Sequence, residues 1–352
     1  MASSIEQLKV CLVGSGNWGS AVAKIIGNNV TRLEGFSRDV TMYVYEEIVD
    51  GEKLSEVINS RHENVKYLPG IKLPTNVRAE PDLVSSASNA DILVFVVPHQ
   101  FVPGICAKLK GSIKPGAVGV SLIKGLDANV GGKLELVSET IASSLQIPMS
   151  VLMGANIATE VAQECHCEAT LGCKNSAQGS MLKRIFSTDY FKIEVVDDLE
   201  AVEMCGALKN VVACAAGFAD GMDLGSNTKA AIIRIGLVEM MSIIKSLFPD
   251  SKKKTYFQSC GVADLITTCF GGRNRRISEA FVRTGKSLAV LEAEMLNGQK
   301  LQGPATAQLI YKILEKEAFK IEVPLFVKVY QICFEGISPR SLLEIFSIVS
   351  NL

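Results

Sequence analysis

Six residues, Gly14-Ser15-Gly16-Asn17-Trp18-Gly19, restrict the fold of this chain more than any other segment. Their spacing is G-x-G-x-x-G. They come after the apolar run Lys9-Val10-Cys11-Leu12-Val13, which reads as a buried strand, and they open a helical pattern over residues 20–26. A glycine turn between strand and helix, at the first such junction of a chain, is the fingerprint of dinucleotide binding. Gly14 permits the sharp turn. Gly16 lets a pyrophosphate approach the backbone, and Gly19 lets helix and strand pack. The helix N-terminus adds free N–H groups and partial positive charge for the phosphates.

The rest of the first half fits such a turn. Short runs rich in Val, Ile and Leu occupy residues 8–13, 40–45, 92–97, 117–123, 150–153, 169–171 and 192–196. Most are continuous rather than alternating, as strands buried on both faces are. Helical patterns at 17–27, 100–109 and 134–145 lie between them. This predicts an α/β fold with a doubly wound, mainly parallel sheet. Beyond about residue 197 the short runs give way to long helical patterns at 199–217, 229–247, 278–283, 288–296, 304–316 and 325–334. The expected organisation is a dinucleotide-binding domain over 1–196 and an all-α substrate and catalytic domain over 197–352. In 229–247 the charges Arg234, Glu239 and Lys245 share no face, which predicts a helix buried all round. Residues 249–254 are polar and read as an exposed loop.

Composition narrows the class. With 36 basic and 37 acidic residues the net charge is −1, so the chain lacks the basic excess that nucleic-acid binding requires. The longest apolar runs, 211–219 and 92–97, fall short of the ~18 residues of a spanning helix, so no transmembrane segment is expected. Ten cysteines, several inside apolar runs, read as reduced thiols in a reducing compartment. The first eight residues are too polar for a signal peptide, and a cytoplasmic location is expected. The terminal Ser350-Asn351-Leu352 is one residue off a peroxisomal signal and carries little weight.

At the end of the second apolar run stand Tyr43-Val44-Tyr45-Glu46-Glu47. Carboxylates there can bond ribose hydroxyls and repel a 2′-phosphate, which favours NAD over NADP. Tyr45 is placed to offer its ring to the adenine.

Four segments carry candidate chemistry. Lys124 comes after a buried strand and so sits where a parallel sheet binds ligands; the alternative is a solvated lysine at a strand end. Lys209 lies in a mostly apolar helix, Gly206-Ala207-Leu208-Lys209-Asn210-Val211-Val212. It either snorkels to the surface or enters a polar cavity, where burial and a second cation would suit it to acid–base work. Asp264, in a small and apolar setting, needs a cation; Lys209 is the natural candidate, and Thr268 shares the face of Asp264 if the segment is helical. Gly271-Gly272-Arg273-Asn274-Arg275-Arg276 precedes a helix expected to begin near Ile277 and suits an anion, with Arg275 and Arg276 read as surface residues. Cys165-His166-Cys167 with Cys173 matches no standard zinc spacing, so no metal is expected. Residues 285–287 fail as a P-loop because position 280 is Ala.

Taken in order, several of these segments resemble the eukaryotic cytosolic NAD-dependent glycerol-3-phosphate dehydrogenases. The resemblance rests on Val13–Ala21, Phe95-Val96-Val97-Pro98-His99-Gln100-Phe101, Ser121-Leu122-Ile123-Lys124-Gly125 and Met153-Gly154-Ala155-Asn156-Ile157-Ala158. It continues through 206–212, 260–269, 271–275 and Leu296-Asn297-Gly298-Gln299-Lys300-Leu301-Gln302-Gly303-Pro304. It implies interconversion of dihydroxyacetone phosphate and sn-glycerol 3-phosphate with NADH and NAD. It also implies a Rossmann-type domain, a helical C-terminal domain, a cleft between them and a cytosolic homodimer. By this resemblance Lys209 transfers the proton and Lys124 binds substrate, with Asn156, Asn210, Asp264, Thr268, Arg273 and Asn274 as further substrate contacts. The implied NAD contacts are Gly14, Ser15, Gly16, Asn17, Trp18, Gly19, Phe101, Ala158, Arg273, Lys300 and Gln302. Tyr45 departs from the Phe of the vertebrate enzymes, and the tail 346–352 departs as well. Two other readings stay open: a related hydroxyacid dehydrogenase, and a low-turnover NAD(H)-sensing interaction protein on the same fold.

Overall fold

A computed structural model describes residues 7–128, 134–296, 300–317 and 321–349. The polar N-terminal residues 1–6, Asn297-Gly298-Gln299 and Ser350-Asn351-Leu352 lie outside them. The chain divides into two compact units: Met1–Lys124 with Leu136–Leu199, and Gly125–Glu135 with Glu200–Leu352.

The first unit is built on an eight-stranded sheet. Its strands run across the sheet in the order Phe191–Val196, Cys167–Gly172, Met149–Met153, Val118–Ser121, Ile92–Phe95, Leu8–Val13, Phe36–Tyr43 and Val77–Glu80. All neighbours are parallel except Met149–Met153 and Cys167–Gly172, which run antiparallel with Leu152 opposite Leu171. Successive side chains of a strand point to opposite faces, and here each face has its own core. Val10, Leu12 and Val94 join one apolar cluster; Cys11, Val13, Leu93 and Phe95 join the other. The helix Asn17–Val30 packs with Ala158–Ala162 and Ser176–Phe186, while Val102–Leu109 packs with Val137–Leu145. The edge strand Phe191–Val196 alternates instead, exposing Lys192 and Glu194.

Residues 134–145 are not one helix. Leu134–Leu136 is a short strand paired with Leu126–Ala128, and the helix begins at Val137.

Apart from the strand Leu126–Ala128 and its pairing, the second unit is helical among the described residues. Its centre is Leu199–Gly221, a helix buried along its length. Its small residues admit close neighbours: a Cβ on Gly217 would lie 2.2 Å from the carbonyl oxygen of Arg275. The expectation of all-round burial for the next helix, Gly225–Leu247, is corrected by the structure, because Ala230, Arg234, Val238 and Lys245 are exposed. Its Glu239 turns inward, 4% exposed, and accepts from the backbone N–H groups of Leu325 (2.9 Å) and Phe326 (3.0 Å). These open the helix Pro324–Tyr330. Burial pushes the Glu239 carboxyl up to about 8, against the pull of the two N–H donors. The polar stretch 249–254 is only partly exposed: Ser251 is buried and bonded by the Tyr256 hydroxyl at 2.9 Å.

Candidate active site

The glycine turn shows why each glycine is there. Gly14 has φ +124°, and a Cβ on it would lie 2.4 Å from the carbonyl oxygen of Val96. A Cβ on Gly19 would lie 2.4 Å from the carbonyl oxygen of Gly14. At Gly16 an added Cβ meets nothing within 4 Å. Two glycines therefore answer to internal packing, and the third faces open space. The helix Asn17–Val30 begins here with no side-chain cap on its first turn, and uncapped N–H groups at a helix start favour anions. Asn17 donates to the carbonyl of Tyr67 at 2.9 Å, and the Trp18 ring meets Phe191 edge-on at 6.2 Å. The carbonyl of Ser15 accepts from the Ser20 hydroxyl and from Asn64, a fully buried residue with no signal in the sequence.

Glu46 and Glu47 are each held by neighbouring residues. Glu46 accepts from the backbone N–H (3.2 Å) and hydroxyl (2.6 Å) of Ser55, at the start of the helix Leu54–Arg61. Glu47 accepts from Lys66 Nζ (2.6 Å) and the Tyr67 hydroxyl (2.7 Å). Burial opposes ionisation of Glu47, but these two donors outweigh it and hold its pKa below the usual carboxylate value. Both carboxylates thus have protein partners and keep acceptor sites for further donors. Tyr45 beside them is 72% exposed, and Phe101 is also exposed.

A cavity of about 670 Å³ in this unit is not the cofactor site. Lys9, Ser37, Asp39, Asn76 and Arg78 are among its lining residues, toward the strand N-terminal ends, whereas open parallel sheets bind ligands beyond the C-terminal ends. At the C-terminal ends, Lys124 donates to the carbonyl of Gly154 (3.0 Å) and Asn156 to that of Glu168 (3.0 Å). Ala158 begins the short helix Ala158–Ala162.

In the second unit the structure brings predicted residues together in two groups. Lys209 is 4% exposed and Asp264 2%. The Lys209 ammonium donates to Asp264 Oδ1 and, at 2.7 Å, to the Thr268 hydroxyl, which itself donates to the carbonyl of Asp264 at 2.6 Å. Asp264 comes directly after a π-helical turn, Ser259–Ala263, and opens the helix Asp264–Gly271. Such turns often mark functional sites. Asn274 donates to Asn210 Oδ1 at 3.0 Å and accepts from the N–H of Gly303 at 2.9 Å. The loop before residue 277 is shorter than expected, since the helix Arg273–Thr284 starts at Arg273 and has no side-chain cap. Arg273 and Arg276 are exposed, but Arg275 is not a loose surface residue. Its guanidinium holds Asp220 (2.5 Å) and Glu279 (2.9 Å), and Asp220 also takes Lys229 at 2.7 Å. Lys300 Nζ and the N–H of Leu301 both reach the carboxylate of Glu292, at 2.8 and 3.0 Å, just before Gln302 opens the helix Gln302–Glu317. Neither Asp220 nor Glu292 stands in a motif that would single it out.

Chemically, the first unit offers an anion-accepting turn for a dinucleotide. The second offers a buried proton donor, Lys209, oriented by a carboxylate and a hydroxyl, and an arginine at an uncapped helix start.

Comparison with known proteins is consistent along the chain. The family model described as NAD-dependent glycerol-3-phosphate dehydrogenase N-terminus matches residues 9–179, and the one described as its C-terminus matches residues 198–344. The chain is 59% identical over 330 residues to the cytoplasmic glycerol-3-phosphate dehydrogenase [NAD(+)] of Homo sapiens, covering 93% of this chain and 94% of the relative. It is 56% identical over 339 residues to that of Drosophila melanogaster, covering 96% and 93%. The solved structure of a glycerol-3-phosphate dehydrogenase from Saccharomyces cerevisiae is similar at a TM-score of 0.90 and 42% identity, over 96% of this chain and 99% of that one. One from Plasmodium falciparum gives 0.92 and 40%, over 96% and 94%. A ketopantoate reductase from Ralstonia eutropha, at 14% identity and a TM-score of 0.55, shares the fold alone.

Proposed function

The chain belongs to the NAD-dependent glycerol-3-phosphate dehydrogenase family, and from that membership we propose that it reduces dihydroxyacetone phosphate to sn-glycerol 3-phosphate with NADH and runs the reverse reaction with NAD. The observation that carries this reading is the buried group Lys209–Asp264–Thr268, in a chain that also holds a glycine turn suited to a dinucleotide.

The residues of the turn fit the cofactor. Gly16 leaves room for the pyrophosphate, and Gly14, Ser15, Asn17, Trp18 and Gly19 form the cradle around the uncapped helix start. Tyr45, Phe101, Ala158, Arg273, Lys300 and Gln302 are the further proposed contacts. When bound, the reduced nicotinamide supplies the hydride that the carbonyl carbon receives.

The remaining work falls to the chain. As negative charge grows on the carbonyl oxygen, Lys209 gives it a proton, and in the reverse direction takes that proton back. Asp264 and Thr268 aim the ammonium. Lys124, Asn156 and Asn210 are the further proposed substrate contacts. Arg273, Asn274 and the start of their helix hold the phosphate, so binding away from the reacting carbon fixes its position. The proposed assembly is a cytosolic homodimer, checked by light scattering on the eluting peak of a sizing column.

The deciding experiment measures NADH consumption with dihydroxyacetone phosphate against a panel of 2- and 3-oxoacids, with NADPH in parallel. Turnover confined to dihydroxyacetone phosphate and NADH is expected. Preference for an oxoacid, or tight NADH binding with no turnover, would overturn the assignment.

A further inference from the structure

Asn64 is 0% exposed, far in sequence from the glycine turn, yet its side chain is bonded to it. Its Nδ2 donates to the carbonyl of Ser15 at 2.7 Å and to the hydroxyl of Ser20 at 2.8 Å. Its Oδ1 accepts from the N–H of Tyr67 at 3.1 Å, and the Ser20 hydroxyl itself donates to the carbonyl of Ser15 at 3.2 Å. Asn17 closes the circuit by donating to the carbonyl of Tyr67. The carbonyl of Ser15 thus has two inward donors.

That carbonyl belongs to the peptide joining Ser15 to Gly16. In a trans peptide the C=O and N–H point in opposite directions. Holding the oxygen toward Asn64 turns the N–H of Gly16 the other way, on the residue where an added Cβ meets nothing within 4 Å. We propose that Asn64, with Ser20, is a positioning residue for the cofactor pyrophosphate: it fixes the direction of the Gly16 N–H without touching the ligand. This rests on the reading of the turn as the NAD site. Asparagine suits the position because one amide supplies two donor hydrogens and one acceptor. An aspartate would keep the acceptor, lose both donors and set a buried negative charge beside a carbonyl and a site for phosphates.

The test uses the full chain with Asn64→Asp and Ser20→Ala. Binding of NADH is read by fluorescence and that of ADP-ribose, which keeps the pyrophosphate but lacks the nicotinamide, by calorimetry. For Asn64→Asp, both affinities are expected to fall together by about tenfold or more, as loss of hydrogen bonds to a buried carbonyl produces. The kcat at saturating NADH and the KM for dihydroxyacetone phosphate should stay within about twofold of the parent. Ser20→Ala, which removes one arm of the circuit, should weaken both ligands by a few-fold with an unchanged circular dichroism spectrum. Should Asn64→Asp not fold, Ser20→Ala alone decides. Affinities equal to the parent in the folded variants, or losses that fall on kcat instead, overturn the proposal. A parent chain that binds neither NADH nor ADP-ribose overturns the NAD reading itself, which separates the two failures.

Discussion

The ammonium of Lys209 and the carboxylate of Asp264 are in direct contact at a depth where both side chains are almost fully buried, 5% and 3% exposed. A buried ion pair contributes little net stability, but removing one partner leaves an uncompensated charge. The proposed proton transfer, rather than stability, accounts for a lysine in so apolar a helix.

Lys209→Ala should therefore lower kcat by roughly 10²–10⁴, the range of general acid catalysis, while NADH affinity changes little. It should also lower the unfolding free energy by about 3–5 kcal/mol, from the stranded Asp264. Steady-state kinetics and thermal denaturation read the two effects separately. Unchanged turnover would remove Lys209 from the mechanism.

Arg273→Ala should act on the phosphate. With NADH saturating, so that the proposed cofactor contact of Arg273 does not limit the rate, the KM for dihydroxyacetone phosphate should rise about tenfold or more, because a charge-assisted bond is lost, while the slow reduction of unphosphorylated dihydroxyacetone should be nearly unaffected. Equal losses on both substrates would contradict the role assigned to Arg273.

Glu239 makes stability depend on pH. Its carboxyl titrates at about 8 in the folded chain against 4.5 unfolded, so between those values the folded state holds a proton that the unfolded state releases. The stabilisation is fully present below pH 4.5 and is lost as pH rises through 8. At 1.36 kcal/mol per unit the whole span amounts to about 5 kcal/mol. Melting temperatures of the parent should fall as the pH is raised toward 8, and Glu239→Gln should flatten that slope. Parallel curves for the two proteins would show that this carboxyl does not govern the slope.

Glu46→Ala should behave as the loss of a helix cap, because the carboxylate serves the N–H and hydroxyl of Ser55. A loss of about 1 kcal/mol in stability is expected, with NADH affinity within about twofold of the parent. A large drop in NADH affinity at unchanged stability would restore Glu46 as a ribose ligand.

Local pattern made much of the fold readable. Runs such as 8–13 and 92–97 are apolar on both faces because each face of their sheet has a core, and that state leaves a continuous signature. Lys209 and Asp264 were also legible as a pair, since a charge in an apolar helix demands a counter-charge. Other features had no local trace. Leu134–Leu136 is too short a strand to differ from a helix start. Gly225–Leu247 is apolar enough for burial, but Leu199–Gly221, with smaller residues, takes the central place. Asn64, Asp220 and Glu292 act through hydrogen bonds and ion pairs fixed by tertiary packing, and Glu46 and Glu47 find partners only once the helix Leu54–Arg61 and the loop after it fold back.

Asp264 and Thr268 stand one turn apart on the helix Asp264–Gly271. An α-helix advances roughly 100° per residue, so deleting one residue between them would turn Thr268 about the axis and away from the ammonium that Asp264 holds. Helix content would hardly change, and every residue of the proton-donating group would still be encoded. In the proposed mechanism the chemistry thus depends on counting as well as on composition: a relative with all three side chains intact but one residue fewer between Asp264 and Thr268 should be inspected as a candidate non-enzyme.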